Sequence, residues 1–236
     1  MVTATRPTLG DDARSVAWWV FVGAAGGAIA GCLVGGIGGR LAMLLLRLTS
    51  PDSVIGLTSD DGFEIGVVTT KTLSFILGMT FLGAGSGVIY AVLRGAIPGR
   101  LRLPLWALAV AAAGGGQFVH EDGIDFHLLE PAALAVALFV ALPGLAAALV
   151  VVLVERWIVR DPAANRRLFA GLVVAAVAGT FALIIGGVVG VIALGMRRAG
   201  ATELVRPIAK VAVPLVLVAV TLVAGVSLVT EASRII

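Results

Sequence analysis

Between Val16 and Ile37 no residue carries a charge. An apolar run of about 18 or more residues is long enough to cross the hydrocarbon core of a bilayer. Hydrocarbon offers the backbone no hydrogen-bond partner, so such a run must be a helix. Further runs follow at about Leu73–Leu93, Leu103–Val119, Ala132–Val154, Leu168–Met196 and Val211–Thr230. The third is short and carries Gly114, Gly115, Gly116 and Gln117. The last has Pro214 in its first turns, where a missing N–H is best tolerated. The expected fold class is all-α, a polytopic transmembrane helical bundle of about six spans. Residues 1–15 read as a cytoplasmic tail and 16–236 as one membrane domain.

Composition agrees. Of 236 residues, 59% are hydrophobic and 13% charged, against roughly 25% charged in soluble domains. Mean hydropathy is +1.09. The isoelectric point near 9.7 does not indicate nucleic acid. Lys and Arg lie between apolar runs, as in cytoplasmic loops, and form no basic stripe interleaved with aromatics. Cys32 is the one cysteine, which excludes an internal disulfide and a thiolate metal site. The first apolar run is too long for the core of a cleavable signal.

Two observations orient the bundle. With both termini inside, the inner segments hold Arg6, Arg14, Arg94, Arg100, Arg102, Arg156, Arg160, Arg166, Arg167 and Arg234. The outer segments hold fewer basic residues: Arg40, Arg47, Lys71, Arg197, Arg198, Arg206 and Lys210. This follows the positive-inside rule except at the fifth loop, where the last four fall outside. Trp18, Trp19, Tyr90, Trp106 and Trp157 all fall near expected inner helix ends, at headgroup level. The expected location is the plasma membrane, a bacterial inner membrane, with both termini cytoplasmic.

Between the first two spans, Val54–Thr58 and Phe63–Thr69 are rich in β-branched residues and flank an Asp-Gly turn. They predict a short outer β-hairpin.

Gly23, Gly27, Gly31, Gly35 and Gly39 recur every four residues in the first span. Such a stripe strips one helix face to backbone, so a second helix can approach closely. It predicts tight packing within the bundle, or a homo-oligomer through this helix.

Two acidic segments fall on the expected outer side. One contains Asp60, Asp61 and Glu64; the other contains Glu121, Asp122, Asp125 and Glu130, together with His120 and His127. Both share the order acid, Asp, Gly, apolar, acid, apolar, as a duplicated helix hairpin would. Imidazoles among carboxylates suit a divalent metal, although His120 and His127 lack helical zinc-ligand spacing. The alternative is an acidic surface paired with arginines. Arg40, about 32 Å along a helix from Trp19, is placed at the outer interface as such a partner.

No Asp, Glu, His or Lys sits mid-span, which disfavours proton pumping. Ser86 lies in a glycine-rich stretch, but no intramembrane His serves it as base. No catalytic residue, cofactor motif or resident cofactor is expected, and an enzyme is not the favoured reading.

Three stretches carry a resemblance: Gly38-Gly39-Arg40-Leu41-Ala42-Met43, the Asp60–Gly66 turn, and Asp125 through Glu130-Pro131. Together, over about the first 155 residues, the chain resembles a loosely defined group of bacterial multi-pass membrane proteins of no known activity. The resemblance implies a membrane protein with an outer hairpin. The leading functional expectation is a small channel or permease-like bundle partnered by the lipid bilayer. The alternatives are a non-transporting scaffold or accessory subunit, and an outer-face metal-dependent enzyme.

Overall fold

The computed structural model describes residues 9–59, 62–65, 67–123, 126, 128–159, 187–188, 190–192, 194–195 and 201–236. The first helix is longer than its apolar run. α1 (Leu9–Ala30) continues through a π-helical segment (Gly31–Gly38) into α2 (Gly39–Thr49) without a break. The chain meets no proline from α1 until Pro51, and the π segment is half glycine, which accommodates its wider turns. α3 is Thr70–Leu93, α4 is Arg102–Phe118, α5 is Ala132–Ile158 and α6 is Ala201–Ile235. Among the described residues, four helical stretches are long and apolar enough to cross a membrane: Asp12–Thr49, Thr70–Leu93, Ala132–Ile158 and Leu204–Ile235. α4 is shorter, and its Pro104 lies in the first turn, where it costs no helical hydrogen bond. Most of the span expected at Leu168–Met196 lies outside the described residues.

The outer β-hairpin is not formed. The described residues contain no strand, only one isolated antiparallel bridge between Thr58 and Glu64. The residues meant for the first strand are used otherwise: Asp52–Val54 make a turn of 3-10 helix, and Gly56 turns the chain with φ of 82°. What remains is a loop, closed by bonds from Ser59 N to Phe63 O (2.8 Å) and Ile65 N to Leu57 O (2.9 Å). So short a pairing does not hold as an independent hairpin. Lys71 Nζ donates to Gly62 O at 2.7 Å and ties the loop to α3.

Contacts between helices fix which ends lie together. Trp18 Nε1 donates to Ile158 O at 3.3 Å, joining the start of α1 to the end of α5. Tyr90, Ile97 and Trp106 bury in the same cluster, which places the end of α3 and the start of α4 there too. Trp18, Tyr90 and Trp106 thus share one end, but buried within the bundle, at 9%, 0% and 5% exposure, rather than facing lipid. At the opposite end, Glu130 N donates to Ser50 Oγ (2.8 Å) and Thr49 Oγ1 donates to Glu130 O (2.6 Å), joining α2 to the start of α5.

The contacts of α6 fix its direction relative to the other helices. Leu217 packs into the Trp18 and Tyr90 cluster, while Leu228 and Ile235 pack with Val119 and Phe126. Arg234 Nη1 lies 2.7 Å from Glu121 Oε2. α6 therefore runs parallel to α4 and ends beside the loop that follows it, opposite the start of α1. Arg234, counted among the inner basic residues, pairs here with Glu121, counted among the outer acids. α6 also starts at Ala201, ahead of its apolar run, so Pro207 and Pro214 both lie inside it.

Candidate functional site

α1 and α3 are packed backbone to backbone. A Cβ added to Gly23 would sit 2.7 Å from Gly87 O, and one on Gly83 would sit 2.6 Å from the Gly31 Cα. Cβ atoms on Gly27 and Gly31 would penetrate the carbonyls of Gly83 and Met79. The faces of Gly23, Gly27 and Gly31 are thus filled by α3 of the same chain, which leaves no room for a second copy there. Gly35 and Gly39 meet side chains instead, those of Met79 and Phe75.

α3 and α4 are consecutive, yet they do not pack along their lengths; α3 lies on α1 and α4 on α5. They meet at one end through the Tyr90 and Trp106 rings, whose centroids are 5.5 Å apart. Glu155 of α5 pins this end. Its Oε1 accepts from Tyr90 OH and Arg94 Nε, and its Oε2 from Arg94 Nη2, all at 2.8 Å. Arg102 Nη1 adds a bond of 2.9 Å to Oε2. The ion-pair side chains are 21–28% exposed, so water screens them only in part. The hydrogen bonds to Glu155 raise the Arg94 guanidinium above its ordinary pKa against the opposing effect of burial.

Away from this clamp, α3 and α4 diverge and leave a cavity of about 210 Å³. Its back wall is Gly31, Gly35, Gly39 and Met43; α3 contributes Met79 and Gly83, α4 Val110 and Gly114, and α5 Leu142 and Ala146. Among the described residues, Ser86 supplies the one hydroxyl in the lining, and none of the lining side chains is charged. Leu82, also in the lining, is 67% exposed on the outer surface of the bundle.

A second cavity, about 290 Å³, lies at the α2 end. Its lining is largely apolar, with Arg40, Arg47, Ser59, Glu64 and Thr72 as its polar members, and it shares Met43 and Phe139 with the first. Arg40 stacks over the Phe63 ring at 5.2 Å and lies 3.5 Å from Met43 Sδ.

Among the described residues no three metal-type side chains come together. A His120 ring nitrogen lies 2.9 Å from Gln117 O. Glu121 pairs with Arg234, and its backbone N–H donates to the Glu231 carboxylate at 2.8 Å. Asp122 and Glu130 are exposed, and Glu64 lines the second cavity. Asp60, Asp61, Asp125 and His127 lie outside the described residues.

Sequence reasoning missed the Glu155 clamp. Its signal was present: Tyr90 and Arg94 share a face at a span end, and Glu155 is the one acid at the end of the fourth apolar run. The chain matches no protein-family model, no curated protein and no solved structure.

Proposed function

We propose that this protein is a membrane bundle that admits an apolar molecule from the bilayer into the cavity between α3 and α4. The observation that carries the reading is the cavity's lining, apolar apart from Ser86 among the described residues, beside two helices that meet at the clamped end. Ion pathways line their narrow regions with charges, carbonyl rings or water-filled space. The lining here favours a hydrophobic guest over an ion, and so favours binding over conduction. Small-molecule sites have this character: concave, mostly apolar, with few polar groups.

The test uses a photoactivatable aryl diazirine with the protein in nanodiscs. Saturable labelling is expected at Met79 and Leu142, competed by excess unlabelled probe. Ala146→Phe, which fills the cavity, should lower that labelling about tenfold, as the loss of a few buried methylenes implies. Lipid-facing Leu73 should label without saturation in both proteins. Equal, non-saturable labelling of lining and lipid face would sink the proposal.

The orientation we propose has the start of α1 in the cytoplasm and the end of α6 outside. It places Arg206 and Lys210, at the start of α6, on the same side as Arg14, Arg94, Arg100, Arg102 and Arg156. The fifth-loop exception to the positive-inside rule then disappears. In a Cys32→Ala background, Gly99→Cys should react with an impermeant maleimide only after permeabilisation, and Ser233→Cys in intact cells. Labelling of both from one side would refute the arrangement.

A further inference from the structure

We propose that the guest is a glycerophospholipid, its phosphate held between Arg40 and Arg47 and one acyl chain running past Met43 into the apolar cavity. This rests on the apolar-guest reading above and adds the headgroup. Three observations carry it. The two cavities share Met43 and Phe139, so a mouth that carries two arginines adjoins an apolar interior, matching an amphiphile. Arg40 and Arg47 both line that mouth from α2, two helical turns apart, and guanidinium forks suit phosphate oxygens. Thr72, also in its wall, has a buried hydroxyl with no hydrogen-bond partner among the described residues.

The groups present leave room for a phosphate. Arg47 is bonded to Asp52 at 3.1 Å, but the Asp52 side chain is 89% exposed, and so exposed a pair is readily exchanged. The face of the Arg40 guanidinium lies over the Phe63 ring at the mouth, which leaves the edge of the fork to bond phosphate oxygens. Glu64 is an exposed acid on the same lip. It disfavours a second negative charge beyond the phosphate and suits a headgroup that carries an amine. The site lies at the end of the bundle, beside the start of α3 and the loop before α5, where lipid phosphates reside if these helices cross a bilayer.

Delipidated protein in detergent would be titrated, with native mass spectrometry as readout, against phosphatidylethanolamine, diacylglycerol and glycerol phosphate. Phosphatidylethanolamine should bind best. Diacylglycerol lacks the phosphate and glycerol phosphate the chain, so each should bind at least about tenfold more weakly. Arg40→Gln/Arg47→Gln should remove the preference for phospholipid over diacylglycerol, while Arg40→Lys/Arg47→Lys should keep part of it. Thermal unfolding checks that these variants fold, and Arg47→Gln alone serves if the double variant does not. Wild-type preference in the Gln variant would overturn the headgroup assignment while leaving the diazirine result intact. Unchanged phospholipid binding in Ala146→Phe would overturn the chain placement and the apolar-guest reading together. Tight binding of glycerol phosphate alone would show a free phosphate site and refute the lipid.

Discussion

Gly27→Ala is expected to destabilise the protein by at least about 2 kcal/mol, and Gly27→Leu to prevent accumulation of folded protein. The added Cβ would enter the carbonyl of Gly83, and the Ala84 Cα lies 2.9 Å from it. Those atoms are backbone, so no rotamer change relieves the overlap. α1 and α3 would have to separate along their contact, breaking the close carbonyl approaches that run from Gly23 to Gly31. Between membrane helices such packing supplies the attraction that hydrophobic burial supplies in water. Gly85→Ala is the matched control. It lies on α3 two residues from Gly83, but an added Cβ there meets nothing within 4 Å, so no loss is expected. Thermal unfolding in detergent, read by size-exclusion fluorescence, distinguishes the two. Equal behaviour of Gly27→Ala and Gly85→Ala would show that the α1–α3 contact does not hold the bundle together.

Glu155→Ala should cost about 2–4 kcal/mol, because it strands Arg94, Arg102 and the fully buried Tyr90 without their shared acceptor. Uncompensated charge makes that loss larger than the worth of the pairs themselves. Glu155→Gln should fall between, since one amide oxygen still accepts. The double variant Arg94→Met/Glu155→Met should recover part of the stability by removing charge from both partners. If Glu155→Ala and wild type melt together, the clamp is a surface ion pair of no consequence. A mechanical effect is expected as well. The clamp holds α3, α4 and α5 at one end only, so its loss should also raise protease cleavage between Arg94 and Arg102.

The fold was largely legible where hydropathy alone decides. The second, third and fourth runs match α3, α4 and α5 closely, since apolar stretches in lipid have no alternative to helix. The loop at Val54–Thr69 was misread because β-branched residues and an Asp-Gly turn specify local preference. Whether strands form depends on neighbours to pair with, and this loop has none. The direction of α6 within the bundle was not legible for a related reason. Arg234 counts as one positive charge in a tally, but its location follows from Glu121, which lies far away in sequence. The candidate cavity was hidden altogether. Its walls are glycines and small apolar residues, the same residues that make solid packing elsewhere in the chain. Only the divergence of α3 from α4 separates the two outcomes. Glu155 was overlooked because a search for charge within the spans stops short of their ends.

The π-helical segment has one consequence for the glycine repeat itself. In an α-helix a four-residue step overshoots a full turn by roughly 40°, so a strict four-residue stripe winds slowly around the helix. From Gly23 through Gly31 the stripe drifts in that sense. Across Gly31–Gly38 the i to i+5 bonding widens each turn, so the same step falls short and the drift reverses. Gly35 and Gly39 are thereby returned toward α3, where they meet Met79 and Phe75. The segment acts as a phase corrector between a repeat of four and a helix of 3.6, and it sets the bearing of everything downstream on α2, including the direction from which Arg40 and Arg47 face the mouth.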